Sequence, residues 1–256
     1  MHERTTTRRA GHRLAAWFWV AAVSSLLNAH AQGLTQPPTL QDCEQDNVAS
    51  LSVRACTHFL SLENIEKDER VRLFLLRGRS WLTEDDPESA ADDFTQALKL
   101  QPGNTEALRG RVKAYDLMQK FEGAVADWTA LIALSPDDDK LYRSRGASRL
   151  GAKDYSEAIA DYDKSLQLNP GGLDAYIGRA LVYEDMGDKE KALKEFEQAI
   201  AMDAKYLPLF WERARMADRW GEKQRAIDDY IMVLKINGQW ANARKHLERL
   251  GVYSPY

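Results

Sequence analysis

The chain has only two cysteines and five histidines in 256 residues, and their positions exclude most metal and nucleophilic chemistry. His2, His12 and His30 fall in the first 31 residues, while His58 and His246 stand near opposite ends of the remainder. No metal-site spacing, no serine or cysteine grouped with a histidine and no glycine-rich phosphate loop is present. Neither a metal nor a cofactor is expected, and an enzyme is the least supported class. Apolar runs are scarce too: Leu14–Leu27 is short for a membrane span of roughly 20 residues. Positive charge is lacking. The net charge is −4, and the first 31 residues hold four arginines against one glutamate, so the rest is more acidic than the total. Such a balance argues against nucleic acid as a partner.

What the sequence does have is a period. Pro102, Pro136 and Pro170 stand 34 residues apart, which divides 71–240 into five units: 71–104, 105–138, 139–172, 173–206 and 207–240. The twentieth place of each unit is alanine (Ala90, Ala124, Ala158, Ala192, Ala226), and the twenty-fourth is aromatic (Phe94, Trp128, Tyr162, Phe196, Tyr230). The eighth place is mostly small: Gly78, Val112, Gly146, Ala180 and Ala214. Apolar residues recur at helical spacing in two segments per unit. Small residues on facing helices allow close approach, and the aromatic fills the space beside them. A single hairpin of this kind cannot bury its apolar face, so the units must stack.

In these residues the chain resembles the tetratricopeptide repeat family, over about two thirds of its length. The resemblance implies an all-α, right-handed superhelical solenoid of antiparallel helix pairs. Ala204 and Gly238 replace the proline in the last two units.

Outside the units, 1–31 reads as an export signal. Arg4, Arg8, Arg9 and Arg13 precede the apolar run, and Ala29-His30-Ala31 follows as a cleavage pattern. Export to a bacterial periplasm or beyond is expected, with no stable membrane insertion once the signal is removed. Residues 32–47, with Pro37-Pro38, read as a linker, and 48–70 as an N-terminal half-unit helix and link. In that half-unit Ser52 takes the alanine place and Cys56 the aromatic place. Residues 241–256 form a polar capping helix and tail. Asp86, Asp154 and Asp188 are expected helix caps, and Gly151, Gly187 and Gly221 expected helix ends. The run Asp137-Asp138-Asp139 reads as capping rather than a cation site. Cys43 and Cys56, an even pair in an exported chain, are expected to form a disulfide; the alternative is one buried and one idle thiol.

Two charge patterns remain. The seventh place is always arginine (Arg77, Arg111, Arg145, Arg179, Arg213), and the twenty-third always acidic (Asp93, Asp127, Asp161, Glu195, Asp229). This is either a binding stripe or, as an element repeated without variation suggests, a structural ladder of ion pairs. The family resemblance places the inner, concave face on the first helices, at places 2, 5, 9, 12 and 13. That face then offers Arg72, Arg79, Arg109, Lys113, Lys140 and Arg143 over the first three units, with Trp211 and Arg215 in the last. The implied function is a protein-interaction scaffold binding a partner protein or peptide with an acidic or carboxylate-bearing segment in its groove. The alternative is an assembly subunit of a cell-envelope complex that docks through its convex face.

Overall fold

Each helix begins and ends on local chemistry that recurs with the period. The computed structural model describes residues 37–45 and 48–253, so the expected export signal lies outside the described residues. Thirteen helices and no strand occur among them. The first are α1 (Leu40–Cys43) and α2 (Ala49–Leu60). The five units supply α3 (Lys67–Thr83) with α4 (Pro87–Leu100), α5 (Thr105–Leu117) with α6 (Phe121–Leu134), and α7 (Asp139–Gly151) with α8 (Tyr155–Leu168). Then come α9 (Leu173–Asp185) with α10 (Lys189–Met202), α11 (Leu207–Arg219) with α12 (Lys223–Ile236), and α13 (Ala241–Arg249) last.

Asp86 accepts the backbone N–H of Ser89 at 3.0 Å with Pro87 in the first turn, and Asp188 that of Lys191 at 3.1 Å. Asp138 caps α7 by accepting from Lys140 at 3.0 Å. Asp154 departs from expectation: its side chain makes no capping bond. Gly187 and Gly221 end their first helices as expected, in the left-handed region, but Gly151 does not. Gly151 lies within α7, where a Cβ would come 2.7 Å from the Phe121 ring, so its smallness serves packing. The left-handed residue falls two places later in every unit: Asp85, Gln119, Lys153, Gly187 and Gly221, with φ between 56° and 80°. The next N–H closes back on the carbonyl five residues before it, as in Asp86 to Trp81 at 2.9 Å and Glu222 to Ala217 at 2.8 Å.

The core runs the length of the stack. All five alanines of the twentieth place are fully buried, and Phe94, Tyr162, Phe196 and Tyr230 are at most 2% exposed. Burying each such ring contributes roughly 2–3 kcal/mol. Trp128 is only half-buried, and its indole N–H donates to Ser148 of the next unit at 3.1 Å. The sparsest contact between consecutive helices is that of α10 with α11, where Ala204 stands in the proline place.

Two boundaries differ from the sequence reading. Part of the expected linker is α1, nucleated by a reciprocal cap between Thr39 and Asp42. The expected link before residue 71 holds the first turn of α3, which starts at Lys67. α1 stands in for the missing first helix of the half-unit. Cys43 faces Cys56 with Cα atoms 5.0 Å apart, a separation a disulfide spans. Ser52 donates to the Cys43 carbonyl at 2.7 Å, and Ser80 to Ser52 at 2.8 Å. At the other end Leu247 and Ala243 of α13 bury against Val233 and Leu234.

Candidate functional site

The arginines of the seventh place point from the first helix of a unit to the second. Arg77, Arg111, Arg145 and Arg213 grip Asp93, Asp127, Asp161 and Asp229 with both carboxylate oxygens, at 2.6–2.9 Å. These aspartates keep only 3–4% of their side-chain surface. Bidentate geometry suits the guanidinium fork, and pairing is what makes burial of a carboxylate tolerable. Burial pushes the Asp93 carboxyl above the usual range, against the pull of Arg77. Hydrogen bonds to Asp127 and Asp161 raise Arg111 and Arg145.

Unit four differs because Glu195 is one methylene longer than aspartate. Arg179 reaches it through one nitrogen at 2.6 Å, pairs with Asp163 through another, and leaves Nε buried without a partner. Asp161 has a second cation, Arg149, at 2.8 Å. A third helix joins most rungs. Arg77 donates to Thr57, Arg111 to Thr95 and Arg145 to Thr129, at 2.9–3.0 Å. Thr57 holds the twenty-fifth place of the half-unit, as Thr95 and Thr129 do in theirs. That recurrence was legible in the sequence, but its meaning needed the stacking geometry.

On the face formed by the first helices the basic residues divide into engaged and free. Arg72 pairs with Glu44 of the N-terminal segment and with Glu69 at 3.5 Å. Arg79 pairs with Glu106 at 2.6 Å, and Arg143 with Asp174. Asp174 also accepts from the Tyr206 hydroxyl at 2.5 Å, which raises that phenol. Arg215 pairs with Glu212 at 2.9 Å and lies over Trp211. Arg109, Lys113 and Lys140 have exposed side chains and no ion-pair partner among the described residues.

The spacing explains the division. Glu106 and Asp174 occupy the second place of their units and neutralise an arginine 27 or 31 residues earlier. Lys140 holds that same place in unit three, so no acid stands 27 or 31 residues after Lys113 or Arg109; the acid on that stretch of α5, Asp116, lies against Ser148 of α7.

Trp211 is not an open anchor. It packs in a half-buried cluster with Tyr230, Trp240 and His246, at ring separations of 5.6–5.9 Å, and seats the capping helix α13. Beside it, Arg219 at the end of α11 grips Glu184 of α9 at 2.9 and 2.5 Å, and that contact raises its guanidinium. Between α3, α4 and α5 lies a pocket of about 620 Å³ lined by Leu82, Phe94, Glu106, Arg109, Gly110 and Lys113 among others. Gly110 packs directly on the fully buried Phe94 ring, which a Cβ there would meet at 2.4 Å. The sequence reading missed this pocket because it forms only where two units stack. No group of three or more histidines, cysteines or acids is placed to hold a metal among the described residues, and none of their helices is long and apolar enough to cross a membrane.

Two tetratricopeptide repeat family models match residues 111–172 and 149–212. Among solved structures, the chain is similar to a tetratricopeptide repeat protein from Parabacteroides merdae, at 20% identity and a TM-score of 0.63, over 79% of this chain and 82% of that one. A thermophilic TPR protein in Thermus thermophilus is 18% identical with a TM-score of 0.54, over 72% and 98%. MamA from Desulfovibrio magneticus is 17% identical with a TM-score of 0.55, over 65% and 92%. At these identities the likeness is one of fold. No curated protein matches the sequence. Repeat period, helix pairing and family matches agree, and the chain belongs to the tetratricopeptide repeat family.

Proposed function

We propose that this chain is an exported, non-catalytic scaffold that holds an acidic or carboxylate-bearing segment of a partner protein along its first-helix face. The observation that carries the reading is the unneutralised charge of Arg109 and Lys113 in a chain of net charge −4. Rigid stacked helices present this surface preformed, so little ordering cost falls on the scaffold. Exposed guanidinium and ammonium groups would draw a carboxylate partner in a salt-dependent way. Arg109→Glu with Lys113→Glu should abolish retrieval of partners from an envelope extract while circular dichroism and melting stay near wild type. Retrieval unchanged by that pair would remove the reading.

Export rests on the basic start, the apolar run and Ala29-His30-Ala31. Intact mass of the mature protein should place its first residue at Gln32, and a product retaining 1–31 would overturn cleavage. In an oxidising compartment the facing Cys43 and Cys56 would be bonded. A second reading, assembly through the second helices, is favoured by Leu134 and Met202. Both hold the thirtieth place, two units apart, and are about half exposed. Replacing both by glutamate should leave partner capture intact if the first-helix face is the site.

A further inference from the structure

The second helices of all five units end on the same backbone. The thirty-first place holds Gln101, Ser135, Asn169, Asp203 and Asn237, with φ between −146° and −135° and ψ between 74° and 97°. The next residue is Pro102, Pro136 or Pro170 in units one to three, Ala204 in unit four and Gly238 in unit five. Units three and five both open this turn with asparagine, and the two side chains act alike. Asn169 Oδ1 accepts the Gly171 N–H at 3.2 Å, and Asn237 Oδ1 accepts the Gln239 N–H at 3.0 Å. The chemical difference is the residue in between. Pro170 has no N–H. Gly238 has one, and it donates to nothing among the described residues.

The surroundings favour attack of the Gly238 nitrogen on the Asn237 side chain. Cγ is the electrophile, and the Gln239 N–H on Oδ1 stands where negative charge would develop. The Asn237 main-chain carbonyl is conjugated to the attacking nitrogen. It accepts the Trp240 N–H at 3.2 Å, which stabilises the charge it shares once that nitrogen loses its proton. Arg244 lays its guanidinium on the Gly238 carbonyl, a positive charge beside the same nitrogen. Asn237, Gly238 and Gln239 are exposed, and a Cβ at 238 would meet only the Leu234 carbonyl, at 3.7 Å. Ring closure needs the Asn237 peptide to swing from its ψ of 96°, and a following glycine hinders that least.

We propose that Asn237-Gly238 is a self-modification site, at which the protein converts its own amide to an acid. Water takes the Gly238 N–H proton, and the nitrogen bonds to Asn237 Cγ. The bond from Cγ to the side-chain nitrogen breaks, and that nitrogen leaves as ammonia with a proton returned from water. A second water opens the resulting cyclic imide. Opening at the side-chain carbonyl gives aspartate; opening at the main-chain carbonyl gives isoaspartate, with the chain running through the side-chain carbon. Unit four shows that the turn accepts the first product, since Asp203 stands at this place and its Oδ1 accepts the Lys205 N–H at 2.8 Å. The second product adds a carbon to the main chain between α12 and α13 and displaces the carbonyl that holds the Trp240 N–H. Isoaspartate therefore loosens the capping helix α13, and aspartate does not.

The full chain, held in mildly alkaline buffer and then digested in acid for peptide mapping by mass spectrometry, tests this. The peptide containing Asn237 should gain the mass of an amide-to-acid exchange and resolve into aspartate and isoaspartate forms, while the peptide containing Asn169 stays unchanged. Gly238→Pro installs the residue of units one to three on a backbone that already matches theirs, so the fold should be kept and the product lost completely. Gly238→Ala keeps the N–H but adds a Cβ, and should slow the reaction. An Asn237 that stays intact in the native protein, conversion of Asn169 at the same rate, or conversion undiminished in Gly238→Pro would overturn the site. Amide exchange in α13 should be faster in the isoaspartate fraction than in the aspartate fraction; equal exchange in the two would overturn the consequence for the cap.

Discussion

Units one to three and units four and five share one backbone plan, yet they use their charged side chains differently. In the last two units the first-helix face is closed on itself: Glu184 is gripped by Arg219, Asp218 by Arg249, and Glu212 by Arg215. Asp174, at the start of unit four, closes Arg143 in the same way. The aromatic that would offer a contact there, Trp211, is committed to seating the C-terminal helix. In the first three units Arg109, Lys113 and Lys140 have no ion pair among the described residues, and the first two line the pocket between α3, α4 and α5. Repetition makes this instructive, because each unit serves as a control for its neighbours. Residues that recur at a place, such as the arginine and aspartate of the ladder, report on architecture. A place that varies, such as the second (Arg72, Glu106, Lys140, Asp174, Pro208), is where the units differ.

The largest effect that would break the comparison is in the ladder. Arg111→Ala leaves the buried Asp127 with no cation and should cost about 3–5 kcal/mol in denaturant unfolding. Arg145→Ala should cost less, because Arg149 remains on Asp161 at 2.8 Å. Replacing both Arg111 and Asp127 by alanine should cost less than the two single losses added together. Equal losses at Arg111 and Arg145 would show that Arg149 does not substitute. Next comes the N-terminal end. Reducing the proposed Cys43–Cys56 bond frees the loop it closes in the unfolded chain and should remove about 3 kcal/mol. The loss should be read by amide exchange in α1 and α2, with α11 to α13 unaffected.

A smaller effect should sharpen the contrast from the other side. Glu184→Gln breaks the grip on Arg219, whose side chain is 46% exposed, so the cost should stay within about 1 kcal/mol. Faster amide exchange should appear in α11 to α13 alone; a uniform change along the stack would contradict the thin junction between α10 and α11. Smallest is the turn ending each first helix. Units four and five place glycine at the left-handed position, whereas unit two places Gln119 there with φ 56°. Gln119→Gly relieves that conformation, partly offset by a freer unfolded chain, and should gain about 0.5 kcal/mol in melting measurements.

The fold was legible because its signals are periodic. Alanine at the twentieth place and an aromatic at the twenty-fourth stated which surfaces meet, and each restatement removed ambiguity. Local signals were read less well. Gly151 looks like a helix end from sequence, but its lack of a side chain accommodates Phe121, and Lys153 takes the left-handed turn. α1 was missed because four residues are too few to show helical periodicity. The site was legible as a set of basic residues but not as a sorted one. Whether an arginine is free depends on acids 27 or 31 residues away, and that offset has no meaning until the stacking of first helices is known. Trp211 shows the same limit, since an aromatic at an inner-face place can serve the next helix as readily as a partner.

The threonine at the twenty-fifth place gives the ladder a mechanical consequence. Through Thr57, Thr95 and Thr129 each of the first three arginines is tied to the unit before it, and Asp163 does the same for Arg179. Among the described residues Arg213 hydrogen-bonds only Asp229, within its own unit, at the junction where α10 and α11 touch least. Under tension applied at its two ends, the molecule should therefore yield first between units four and five. The half-unit and first four units would remain as one load-bearing block, with the Arg109–Lys140 region still assembled inside it, while the last hairpin and its cap act as the fuse.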